Sequence, residues 1–102
     1  MHIELNSENF EAEVKNCEGT VIVDFWAEWC GPCRMLSPII DDLAALRPDL
    51  KVCKLNVDDE PELANLYGVS AIPTVIAFKN GEPAAVSLGF KTREKLAEAL
   101  EI

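Results

Sequence analysis

Residues 29–33 read Trp-Cys-Gly-Pro-Cys. Cys30 and Cys33 are three positions apart, so on a helical turn their sulfurs come close enough to bond. The loop such a bond closes is tiny and restrains the unfolded chain by only about 2 kcal/mol. The pair is therefore a poor staple and a convenient reversible switch. An apolar strand pattern precedes it and a helical pattern follows, which puts it at a helix N-terminus. Unpaired backbone N–H groups and the helix dipole there favour a thiolate, the nucleophile of thiol–disulfide exchange. Cys30 is expected at the helix mouth as the exposed attacker, and Cys33 one turn deeper as the resolving thiol. Gly31 and Pro32 admit a substrate backbone and fix the turn. Zinc is the competing chemistry, but it needs about four ligands. His2 is the only histidine and Cys17 and Cys53 stand alone, so the ligand count favours redox chemistry over a metal.

Asp24 is the second unusual residue. It interrupts the most apolar stretch of the chain, Thr20 to Ala27, and by alternation shares a face with Ile22 and Trp26. Helices covering both faces would bury it, and desolvation would then raise its pKa. Such a carboxylate below a dithiol can take the proton from Cys33. A carboxylate satisfied by backbone or water, or lying on the rim, fits the same pattern.

These residues need a scaffold, and the chain patterning supplies one. Ile3 to Leu5 reads as a short first strand. Ser7 is expected to cap a helix carrying Glu8 in its first turn and Phe10 and Val14 on one face, with Gly19 stopping it. Thr20 to Ala27 is β-branched and aromatic, as suits a strand covered on both faces. Leu36, Ile39, Ile40, Leu43 and Leu46 recur at helical spacing. Locally, either Ser37 caps a helix starting at Pro38 or a longer helix from the cysteines is kinked there, with a slight preference for the first. Lys51 to Val57 is a strand. Pro61 opens a short helix with Leu63 and Leu66 inward, closed by Gly68. Thr74 to Lys79 and Ala84 to Leu88 are strands joined by the two-residue turn Asn80-Gly81, and Pro83 suits an edge strand. Thr92 caps a last helix with Leu96 and Leu100 on its buried face.

The predicted order is βαβαβαββα in one domain over residues 1–102. Helices between the early strands imply parallel pairing with right-handed crossovers, and the hairpin makes the last pair antiparallel. The expected result is an α/β fold, a central mixed sheet with helices on both faces.

Composition narrows the function. The chain has 102 residues, with nine Lys and Arg against eighteen Asp and Glu, a net charge of −9. Phosphate contacts need cationic side chains in excess, so nucleic acid is a poor partner, and so is an anionic membrane surface. The longest weakly polar stretch, Tyr67 to Phe78, is too short to span a bilayer. MHIELNSENF lacks the basic region and apolar run of a secretory signal, which points to a reducing, cytoplasmic compartment.

Residues 23–33, VDFWAEWCGPC, resemble the active-site segment of the thioredoxin family without a gap. The likeness continues at Pro38, where that family kinks its active-site helix, and this overturns the local preference for a start at Ser37. It continues at Lys54 in KLNVD, at Ile72-Pro73-Thr74, at Lys79-Asn80-Gly81 and at Gly89, and so covers essentially the whole chain.

The resemblance implies a thioredoxin fold and a general protein-disulfide reductase. Cys30 would be the nucleophile, Cys33 the resolving thiol, Asp24 the buried proton acceptor and Lys54 its electrostatic tuner. It makes Pro73 cis, packed against the dithiol, with the Ile72 backbone free to pair with an extended substrate segment. Trp29, Gly31, Pro32, Ile72, Pro73 and Gly89 would form an apolar docking surface, with Trp26 supporting the site from below. The implied partners are thioredoxin reductase and disulfide-containing proteins, for a monomer with no bound cofactor or metal. The alternatives are a thiol oxidant or isomerase on the same fold, and a non-enzymatic docking subunit. Phe90 departs from the pattern, since many members carry a small residue after the glycine. Cys17 and Cys53 lie outside the motif: Cys53 alternates with Leu55 and Val57 and is expected to be buried and inert, and Cys17 partly exposed.

Overall fold

The run Thr20–Trp26 forms β2, the central strand, because five successive residues, Val21 to Phe25, are buried. The computed structural model describes residues 2–102. β1 (Ile3–Glu4), β2, β3 (Lys51–Asn56), β4 (Thr74–Lys79) and β5 (Glu82–Leu88) form a mixed sheet in the order β1-β3-β2-β4-β5. The helices are α1 (Gly31–Leu46), α2 (Pro61–Leu66) and α3 (Arg93–Leu100), and a short π-type helical turn, Glu11–Lys15, lies between β1 and β2. The element order and the mixed sheet agree with the expected thioredoxin fold.

The strand pairing differs in one respect. β1 and β2 run parallel to β3, but β4 is antiparallel to β2 as well as to β5. The segment between β3 and β4 carries α2, only six residues long, and does not bring the chain back to the start of the parallel strands. The chain enters β4 where β2 and β3 end, with Thr74 opposite Phe25.

Alternation along the strands builds a core on each side of the sheet. Ile22, Val52, Val75 and Ala77 pack with Leu36, Ile40 and Leu43 of α1 and Leu96 and Leu100 of α3. Val21, Val23, Phe25, Cys53, Leu55, Ile76 and Phe78 pack on the other side with Phe10, Val14 and Ala64. Phe78 meets Phe10 and Tyr67 edge-on at 6.1 and 5.2 Å between ring centres, a geometry that suits aromatic quadrupoles.

Local details correct several expectations. Ser7 caps no helix: Asn6 Oδ1 accepts from the Glu8 and Asn9 amides at 2.8 and 2.9 Å in the turn that leads to Glu11–Lys15, and that segment has no side-chain cap. α1 runs through Pro38, as the resemblance implied and against the local preference for a start there. Leu66 is 68% exposed, because a helix this short turns only Leu63, Ala64 and the following Tyr67 inward. Leu46, at the end of α1, is likewise exposed. Thr92 caps α3 as expected, accepting from the Lys95 amide. The Asn80-Gly81 turn has positive φ at both residues, the mirror-image turn that matches strand twist. Gly81 also lies against the Lys15 carbonyl, where a Cβ would fall 2.2 Å from its oxygen. Pro83 sits on the edge strand beside an irregularity in the β4–β5 register.

Candidate functional site

β2 ends at Trp26, and a tight turn carries the chain into α1, with the Cys30 amide donating to the Ala27 carbonyl at 3.2 Å. Cys30 is the N-cap of α1. It forms a disulfide with Cys33, their Cα atoms 5.2 Å apart. The Cys33 amide donates to Cys30 Sγ at 3.2 Å, so an orphan N–H of the first turn points at that sulfur. No acidic residue occupies the first turn of α1 to oppose an anion there. The sequence led us to expect an exposed Cys30. Instead it is 5% exposed and Cys33 2%. Ala27, Trp26, Val57 and Ile72 close around the pair, leaving only an edge of Cys30 at the surface.

Asp24 lies below the dithiol and is 1% exposed. Among the described residues its Oδ1 has no hydrogen-bond partner, and neither has Trp26 Nε1. Both line a cavity of about 230 Å³ with Cys33, Ser37 and Lys54, reached from the β1 edge past His2 and Glu4. Burial pushes the Asp24 carboxyl up from 3.8 to about 7, against a downward pull from Lys54 and with a further push from Asp41.

Lys54 is the cross-strand partner of Asp24. Its ammonium nevertheless turns to α1, donating to Ser37 Oγ at 2.7 Å and pairing with Asp41 Oδ1 at 3.0 Å. Lys54 thus influences Asp24 through space, and its contacts are with the helix.

The predicted docking residues converge beside the disulfide. The Ile72–Pro73 bond is cis, and the Ile72 carbonyl oxygen is 3.8 Å from Cys30 Sγ. Gly89, at φ 78°, donates its amide to the Pro73 carbonyl at 2.8 Å. Trp29 is 69% exposed and borders a groove of about 300 Å³ with Val57, Val69, Ser70, Ala71 and Ile72. Gly31 and Pro32 open α1 next to it, and Phe90 is exposed beyond Gly89.

The sequence model of the family described as Thioredoxin matches residues 1–102. The chain is 45% identical over 95 residues to thioredoxin of Rickettsia bellii, covering 92% of this chain and 90% of that protein. It is 41% identical over 100 residues to thioredoxin of Pseudomonas aeruginosa, covering 97% and 93%. With thioredoxin of Rickettsia typhi it shares 46% over 91 residues, 88% and 87% of the two chains.

The chain belongs to the thioredoxin family. Thioredoxins are protein-disulfide oxidoreductases, and the Cys30–Cys33 pair equips this one for dithiol–disulfide redox chemistry. Among the described residues no helix is long and apolar enough to cross a membrane.

Reasoning from the sequence missed several residues around this thioredoxin site. Asp58 accepts the Trp29 indole N–H at 2.8 Å, and no local pattern announces it. Ser37 and Asp41 did leave a signal: they stand four and eight positions after Cys33, one face of one helix. That face covers the strand positions carrying Asp24 and Lys54.

Proposed function

We propose that this chain is a general protein-disulfide reductase acting through Cys30 and Cys33. The observation that carries the reading is the Cys30 sulfur held at the first turn of α1 with the Cys33 N–H directed at it. Once the pair is reduced, that N–H and the helix dipole stabilise a Cys30 thiolate. The thiolate attacks one sulfur of a substrate disulfide. A Cys30–substrate disulfide forms, and the other substrate sulfur leaves as a thiolate and takes up a proton. Cys33 then gives its proton to Asp24 and attacks Cys30 Sγ. The Cys30–Cys33 bond forms, and the second substrate sulfur departs, protonated in turn. Two electrons have passed from the dithiol to the substrate.

Asp24 suits this role because it and Cys33 line one cavity, roomy enough for water to relay a proton. A carboxyl near 7 is also an efficient base at neutral pH. Trp29, Gly31, Pro32, Ile72, Pro73 and Gly89 would receive an extended substrate segment, whose backbone would bond beside the disulfide in the manner of an added strand. Thioredoxin reductase would restore the dithiol. A reducing, cytoplasmic compartment fits Cys17 and Cys53, which remain unpaired thiols.

Insulin reduction driven by a reductase or a small dithiol tests the reading. The wild-type protein turns over repeatedly, Cys30→Ser is inactive, and Cys33→Ser stalls as a covalent adduct. Comparable multiple turnover by Cys33→Ser would remove the resolving role.

A further inference from the structure

The counter-ion arrangement around Asp24 is unexpected for two oppositely charged neighbours. Asp24 and Lys54 are directly opposite in the β2–β3 ladder, on the face that α1 covers. Both are buried. A buried carboxylate and a buried ammonium side by side ordinarily pair, since each relieves the desolvation of the other. Here Lys54 makes both its side-chain contacts to α1, at Ser37 Oγ and Asp41 Oδ1. Asp24 Oδ1 is left without a partner.

We propose that Ser37 and Asp41 are positioning residues that hold the Lys54 ammonium against α1, keeping Asp24 unpaired and able to accept the Cys33 proton. This rests on the role given to Asp24 above. Two features of α1 do the holding. Ser37 supplies an uncharged acceptor at the inner wall of the cavity. Asp41, half-exposed, supplies a carboxylate anchor one turn further on, its Oδ1 shared with His2 Nδ1 at 3.5 Å. Releasing the ammonium would let it reach its ladder neighbour and stabilise the Asp24 carboxylate. The base would then be ionised at lower pH and weaker toward the Cys33 thiol.

The charged and titratable groups facing Asp24 come from each neighbouring element: His2 and Glu4 on the β1 side, Lys54 on β3, and Cys33, Arg34 and Asp41 on α1. A probe specific to Asp24 is therefore required. The test follows the side-chain carboxyl carbon of Asp24 by ¹³C NMR titration of the reduced protein. The wild type is compared with Ser37→Ala, Asp41→Asn, Lys54→Met and the double variant Ser37→Ala, Lys54→Met.

Ser37→Ala removes an acceptor and no charge. It is expected to lower the Asp24 midpoint by about one unit, roughly a tenfold loss of proton affinity. Asp41→Asn should lower it further, since a negative charge is lost as well. In the Lys54→Met background, Ser37→Ala should have no effect, because there is no ammonium left to hold. A midpoint unmoved by Ser37→Ala, or moved equally with and without Lys54, would overturn the proposal. A purely structural role would lower the melting temperature without moving the midpoint. Should Lys54→Met fail to fold, Ser37→Ala decides alone, because it removes no charge: its midpoint must fall. Resolution of a Cys30 mixed disulfide by Asp24→Asn, measured in parallel, keeps the two readings apart. If that rate equals the wild type, Asp24 is not the acceptor, whatever the titration shows about Lys54.

Discussion

Replacing Asp24 with Asn should stabilise the protein, and by an amount that depends on pH. The carboxyl is 1% exposed and its Oδ1 unpartnered, so ionising it in the folded state is costly. Its pKa of about 7, against 3.8 ordinarily, is a difference of roughly three units. At 1.36 kcal/mol per unit this is about 4 kcal/mol. The sign follows from proton binding. Between about pH 4 and pH 7 the folded state holds a proton at Asp24 that the unfolded chain has released, so stability at this site is lost as pH rises. Below that window both states are protonated, and above it the full loss is reached. Asn, neutral throughout, escapes it. Urea denaturation of the oxidised proteins from about pH 3.5 to pH 8.5 measures the difference. The advantage of Asp24→Asn should grow through the window and level off above pH 7 near 4 kcal/mol. Other carboxylates titrate alike in both proteins and cancel. Any packing cost of the amide is independent of pH and shifts the curve without changing its slope. An advantage that is flat with pH, or that shrinks as pH rises, would mean that Asp24 is not protonated in the folded state across this window.

Further outcomes are expected elsewhere. Gly81→Ala should cost at least about 2 kcal/mol in chemical denaturation, because φ is 84° and the new Cβ would meet the Lys15 carbonyl; a loss within about 0.5 kcal/mol would contradict this. Burial pushes the Cys53 thiol up to about 12, against a pull from Lys51, so iodoacetamide should fail to label it in folded protein at about pH 8 and succeed in denaturant. Equal labelling in both conditions would contradict it. Trp29→Ala removes an exposed ring and one indole hydrogen bond to Asp58. It should cost about 1 kcal/mol of stability or less, raise KM for a protein disulfide and leave reaction with a small dithiol unchanged; an unchanged KM would remove Trp29 from the docking surface.

The parts of this molecule readable from sequence are those set by local rules. Thr20 to Ala27 announced a buried strand by its apolar run, observed over Thr20–Trp26, Asn80-Gly81 its turn by the need for positive φ, and Thr92 its cap by a hydroxyl three residues ahead of a free amide. Burial of Asp24 followed from its place inside that strand. What the sequence hid depends on tertiary geometry. The direction of β4 is a matter of which end of the sheet the chain re-enters, and no local pattern in residues 57–73 announces it. Leu66 looked like a core residue until the helix proved too short to turn it inward. Pro38 looks locally like a start; only the resemblance implied a helix running through it, and the inner face packs on both sides of it through Leu36 and Ile40. At the site, Lys54 lies opposite Asp24 in the ladder, yet its contacts go to Ser37 and Asp41, a choice between acceptors that only the docking of α1 on the sheet decides.

The reduction potential of the Cys30–Cys33 couple tests the reductase reading most directly. Equilibration with dithiol and glutathione buffers, followed by mass analysis of the trapped thiols, measures it. A reducing couple is expected, near the roughly −270 mV of thioredoxins. A value in the range of roughly −180 to −120 mV, where disulfide-forming oxidants and isomerases lie, would contradict it.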